Sequence, residues 1–231
     1  MAMGARIAMT MATHTDPMTD PATLLTLTQW FSPAYPVGAF AYSHGLEQAV
    51  ADGRVTDAAS AEGWIGDVLT WGGPRSDVTL LGAAFAAEGA TLDEIDALAR
   101  ALAPSKERLL ESVQQGQSFA QTTRAIWGGD LPELSYPVAV GRAARLMGFA
   151  PATVATLYLH AFAANLVSAA IRIVPLGQTE GQAALARLSR LCPAIADEAL
   201  QDTLDDIGSS AFLADIASMR HETLYSRIFR S

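Results

Sequence analysis

Apolar residues recur along this chain at three- and four-residue intervals. Proline, glycine and capping residues cut the pattern into a series of helices. Asp20-Pro21 opens the first: aspartate caps, proline fits the first turn, and Leu24, Leu25, Leu27 and Trp30 share a face ending near Phe31. A second helix is predicted from Ser43 to Asp52, stopped by Gly53, and a third from Thr56 or Asp57 to Trp71. Pro74 starts a fourth, to about Glu88, and Thr91 with Glu94 forms a capping box for a fifth over Leu92–Ala101. Others follow from Pro104-Ser105 to Gly128-Gly129, from Pro137 to Gly148 and from Pro151 to Ile173. The last three cover Thr179–Leu191, Ala194–Ile207 and Ala211–Met219. The β-branched residues sit in alanine-rich helical contexts, so strands are not predicted. No fixed-period repeat and no interdomain linker interrupts the chain. The pattern predicts an all-α, single-domain bundle of about ten helices over residues 20–219.

The segment Pro151–Ile173 is apolar all round and long enough to raise the question of a membrane span. Alanine dominates it, His160 and Asn165 sit in its middle, and Arg172 closes it. Alanine drives insertion weakly and polar groups in lipid are costly, so the segment reads instead as the central helix of the bundle. His160 is then expected deep in the core, bonded to backbone or lining a polar interior.

The stretch Trp30–Gly53 is the least generic. Five aromatics (Trp30, Phe31, Tyr35, Phe40 and Tyr42) fall within thirteen residues. Pro33 and Pro36 push the residues before them out of helix, and Gly38 opens backbone angles closed to other residues. A stiff, extended aromatic loop between two helices is expected. Such a loop must pack on its own core or on a partner, and the residues alone leave both open.

At 231 residues the chain can bury roughly 70–75 % of its unfolded surface, so it needs no disulfide staples. Its one cysteine, Cys192, fits a reducing compartment. Residues 1–19 are rich in Met, Ala and Thr, with an apolar run too short and too polar for a signal-peptide core, and read as a disordered leader. The net charge of −9 removes the electrostatic basis for nucleic-acid binding. An acidic surface suits a soluble protein with a basic partner.

Chemistry is conspicuously missing. No phosphate-cradling loop, dinucleotide fingerprint or Gly-x-Ser-x-Gly elbow is present. Cys192 lacks a second thiol, and His14, His44, His160 and His221 are not paired at i,i+4 spacing. Ser43 and His44 are adjacent, but adjacent side chains diverge. Acidic runs such as Asp93–Asp96 and Asp202–Asp206 read as solvated faces. The residues favour binding or scaffolding over catalysis. A metal- or small-molecule-dependent enzyme on a helical scaffold is the alternative.

The tail differs from the acidic body. Arg220, Arg227 and Arg230 accompany Tyr225 and Phe229, and arginine with aromatics is the composition of binding hot spots. Residues 220–231 are read as a partner-docking segment that orders as it binds.

Three segments together carry a resemblance. Ser32-Pro-Ala-Tyr-Pro-Val-Gly-Ala-Phe-Ala-Tyr-Ser-His-Gly-Leu-Glu47, the run from Tyr158-Leu159-His160 to Pro175-Leu-Gly-Gln178, and Met219-Arg-His-Glu-Thr-Leu-Tyr-Ser-Arg227 resemble the UreF family of urease accessory proteins. The resemblance spans about Leu24 to Ser231. It implies an all-helical, dimeric, cytoplasmic, non-enzymatic protein without a cofactor. It also implies binding to the accessory protein UreD/UreH and, through that complex, recruitment of the GTPase UreG to apo-urease for nickel insertion. Carried over, Tyr35, Phe40, Tyr42, Ser43 and Glu47 belong to the interaction surface. Arg220, His221, Tyr225, Arg227 and Phe229 are tail anchors or partner contacts. His44 and His160 are weak candidates to line a path for nickel.

Overall fold

The computed structural model describes residues 20–230, and the expected leader over 1–19 lies outside them. Nearly every periodic apolar segment is a helix, and no strand occurs among the described residues. In chain order the α-helices are α1 (Pro21–Trp30), α2 (Leu46–Ala51), α3 (Ala58–Trp71), α4 (Gly73–Ala86), α5 (Ala90–Ala101) and α6 (Lys106–Trp127). They continue with α7 (Tyr136–Met147), α8 (Pro151–Ile173), α9 (Gln178–Leu188), α10 (Cys192–Ala199) and α11 (Phe212–His221).

The caps follow the sequence. Asp20 accepts from the Thr23 amide at 3.1 Å, and Asp57 from the Ser60 amide at 2.8 Å. Three boundaries differ from expectation. α5 starts at Ala90 behind Gly89, so Thr91 lies inside the helix rather than capping it. α2 begins only at Leu46, because His44 and Gly45 are left-handed (φ 53° and 77°) and cannot belong to a right-handed helix. The segment expected as one helix from Ala194 to Ile207 breaks after Ala199. There Asp206 accepts from both the amide and the hydroxyl of Thr203 (2.8 and 2.7 Å), a local alternative to helical bonding.

α8 runs through the middle of the bundle. It packs on α2, α3, α4, α7, α9 and α10, as expected of a helix apolar all round. By length and composition it could cross a membrane, but half of its most apolar window is buried inside the fold. α4 and α7 make the most extensive helix pair. A Cβ built at Gly141 of α7 would lie 2.2 Å from the Leu81 carbonyl oxygen of α4, so the approach requires glycine there. The main core collects Leu27, Trp30, Ile65, Leu81, Phe119, Val138, Leu159 and Leu166. A smaller core holds Leu46, Ala49, Val55, Ala61, Ala169, Val174 and, from the tail, Phe229.

Candidate functional site

The aromatic stretch is compact rather than extended. Its prolines punctuate successive turns: the Tyr35 amide donates to the Ser32 carbonyl (2.9 Å), and the Val37 amide to the Tyr35 carbonyl (2.7 Å). Gly38 is left-handed and leads into a single 3-10 turn over Ala39–Ala41. The rings divide between two roles. Trp30 is wholly buried, edge-on to Phe119 at 5.1 Å and close to Trp127 and Phe149. Tyr35 is buried and its hydroxyl pairs with that of Thr123 at 2.9 Å. Tyr42 is buried, donating to Gln114 at 3.0 Å, and its carbonyl accepts from Asn165 at 3.1 Å. Phe40, by contrast, points outward, 47 % exposed.

Behind this loop lies a cavity of about 500 Å³, walled by the loop, α6, α8 and α9. A buried ionic chain forms its inner side. His44 Nε2 lies 3.2 Å from Glu111 Oε1, and Gln115 donates to the same oxygen at 2.8 Å. The Arg108 guanidinium donates to the other Glu111 oxygen and faces Asp77 at 3.8 Å. Asp77 in turn accepts from the Tyr158 hydroxyl at 2.8 Å. Burial penalises every charge here, and the partners decide the outcome. Burial pulls the His44 imidazole below its usual value despite Glu111. Burial alone would push Glu111 up, but the Arg108 and His44 charges outweigh it and hold the carboxylate below its usual value. For Asp77 burial outweighs Arg108, and the carboxyl is raised. Burial and Asp77 raise the Tyr158 phenol well above its usual value.

His160 also lines the cavity, half-buried, with Nδ1 2.9 Å from the Ser189 hydroxyl. It was expected to be the deep histidine; the deep ones are His221 and His44. The reason is that α8 turns a stripe containing His160, Ala161, Ala164 and Ser168 toward the cavity rather than into packed side chains. Among the described residues no three His, Cys, Asp or Glu side chains are arranged to hold a metal ion.

The tail lies against its own chain. Arg220 pairs with Asp52 at 2.8 Å, and Arg227 with Glu107 at 2.6 Å. Phe229 is buried with the Arg172 guanidinium 4.6 Å above its ring, and the Arg230 amide donates to the Ala41 carbonyl at 2.6 Å. Loop and tail are therefore neighbours. Ser43, Glu47, His221 and Phe229 are buried in the seam between them, while Phe40 and Tyr225 face outward, Tyr225 fully.

Comparison with known proteins gives this architecture a family. The family model UreF matches residues 55–189. A protein of Cereibacter sphaeroides named urease accessory protein UreF is 57 % identical over 91 % of this chain and 99 % of its own length. Relatives of the same name from Ruegeria pomeroyi and Azorhizobium caulinodans are 54 % and 46 % identical, over 90 % and 91 % of this chain and 96 % and 97 % of their own lengths. The chain belongs to the UreF family.

The relatives carry the name of an accessory protein and not of an enzyme, and membership in UreF identifies the chain as a non-catalytic protein. The buried ionic chain at the cavity is accordingly read as scaffold, not as catalytic machinery. In this UreF chain sequence reasoning missed one surface. α11 exposes Phe212, Leu213, Ile216 and Met219, and Trp71 at the end of α3 shares a shallow groove with the first two. The signal was available in the i, i+4, i+7 spacing of Phe212, Ile216 and Met219. Only the helix is expected there, because a sequence does not say which apolar face lacks a neighbour. The Arg108–Glu111 pair was also overlooked, although its i,i+3 spacing is legible.

Proposed function

We propose that this chain is a urease maturation scaffold that binds UreD/UreH and, through that complex, recruits the GTPase UreG to apo-urease for nickel insertion. Nickel is cargo in this reading, and the protein works in the cytoplasm as a homodimer. The observation that carries it is the exposed apolar face of α11. Phe212, Leu213, Ile216 and Met219 are each about half exposed or more, and the first two share a groove with the exposed Trp71. Single exposed apolar residues are ordinary; four on one helix face beside an exposed tryptophan mark a contact surface. The acidic net charge suits a basic partner. The placing of His44 and His160 on the wall of one cavity supports a role for that cavity in metal passage.

The test is capture of UreD/UreH by the purified chain. The double variant Phe212→Ser, Ile216→Asp is expected to lose capture, since central apolar anchors cost at least about 2 kcal/mol each when truncated. Its melting temperature should match the parent, because neither side chain is buried. Undiminished capture by the folded double variant would overturn the assignment of this surface.

A further inference from the structure

His221 is the most enclosed ionisable group of the seam. Its side chain is wholly buried between α2 and α6, and both ring nitrogens meet carboxylates. Nε2 is 3.0 Å from Glu47 Oε2, and Nδ1 is 2.8 Å from Glu107 Oε2. A carboxylate only accepts, so each nitrogen satisfies its neighbour only by donating, and a ring that donates twice is the imidazolium. A neutral ring would turn a lone pair toward the buried Glu47 or the partly buried Glu107 carboxylate, which is costly.

The same two carboxylates hold the chain end. Glu47 Oε1 accepts from the Ile228 amide at 2.7 Å and Oε2 from the Phe229 amide at 3.0 Å. Glu107 Oε1 accepts from Arg227 at 2.6 Å. Glu47 thus receives three donors, from α11 and from two consecutive tail amides. The charged groups facing one another here are Glu47 of α2, Glu107 of α6, His221 of α11 and Arg227 of the tail: two negative and two positive only while the ring is charged. Gly45 lets α11 come this near. It is left-handed, and a Cβ there would stand 2.8 Å from the Ser218 amide nitrogen.

We propose that Glu47, His221 and Glu107 form a latch that clips residues 223–230 onto the body, with His221 as its doubly donating positioning residue. Closing the latch fixes the surface that the exposed Tyr225 and Ile228 offer to the partner. This second clause rests on the scaffold reading above; the latch itself does not.

The experiment has three arms on the full chain. Nitrogen-detected NMR of the wild-type histidine rings reads the proton count of His221 directly. Two ring N–H groups are expected, and a single protonated nitrogen overturns the latch. Limited trypsin digestion then compares cleavage after Arg227 with cleavage after Arg145 in the body. Glu47→Gln replaces one acceptor by an amide donor facing N–H groups. It should speed cleavage after Arg227 by about tenfold or more while cleavage after Arg145 stays put. Equal rates at Arg227 overturn the proposal. If the variant proves too unstable to fold, the wild-type ring spectrum decides alone. Finally, Glu47→Gln should weaken UreD/UreH capture. A wild-type chain that captures nothing sinks the scaffold reading and leaves the latch to the first two arms; normal capture by a variant with a freed tail sinks the coupling between them.

Discussion

At the scale of single residues, burial and charge oppose each other along the ionic chain on the cavity wall. Arg108 is buried, and Glu111 is its nearest counter-charge. Glu111→Gln leaves that guanidinium with Asp77 at 3.8 Å as its remaining anion. Breaking one partner out of a buried pair costs about 3–5 kcal/mol, which urea unfolding should register as a lowered midpoint at unchanged slope. His44 makes a pH prediction. Its folded value is depressed from 6.5, chiefly by burial, so the unfolded chain binds the proton first. Stability from this group is full above about pH 6.5 and is lost as pH falls toward the folded value. The melting temperature of the parent should therefore fall on acidification below that point. His44→Asn, whose side chain tolerates the left-handed backbone, should show a smaller fall over the same interval. Little of this was legible beforehand. The i,i+3 spacing offers Arg108 and Glu111 as a pair, but only folding brings Asp77 and His44 to it on one cavity wall.

At the scale of elements, the helices themselves were legible because their signals are local. Asp20-Pro21 and Asp57 cap, prolines sit at first turns, and the apolar period gives each helix its face. Where the reading failed, a nearby polar side chain or a left-handed residue intervened, as at Thr203–Asp206 and His44-Gly45. The α4–α7 contact supplies a test in which two effects oppose. In an exposed helix, replacing glycine by alanine gains up to about 1 kcal/mol. At Gly141 the added Cβ would meet the Leu81 carbonyl at 2.2 Å, and overpacking of that kind costs about 1–3 kcal/mol or more. The clash wins: Gly141→Ala is expected to destabilise the fold in chemical denaturation. A gain in stability would mean that α4 can move aside freely.

At the scale of the whole molecule, the chain end is part of the fold. Phe229 completes the smaller core, so removing Thr223–Ser231 exposes Leu46, Ala49 and Val55. Loss of that burial is worth about 1.5–3 kcal/mol, a fall in melting temperature of roughly 5–10 °C, with the helical circular-dichroism signal kept. An unchanged melting temperature would show that the tail does not pack on the body in solution. The aromatic stretch is read differently in this light. Most of its rings fill the core or the seam with the tail, and Phe40 is the one it offers outward. By itself the sequence determined the all-α class, the central place of α8, the absence of local catalytic motifs and the family resemblance, because periodicity, caps and motifs are written within a few consecutive residues. Only the tertiary structure decided which apolar face of α11 stays uncovered, which histidines lie deep, and that Glu47 meets His221 and Phe229 from more than 170 residues away. Those outcomes depend on which surfaces find each other across the chain, and neither helical period nor local spacing carries that information.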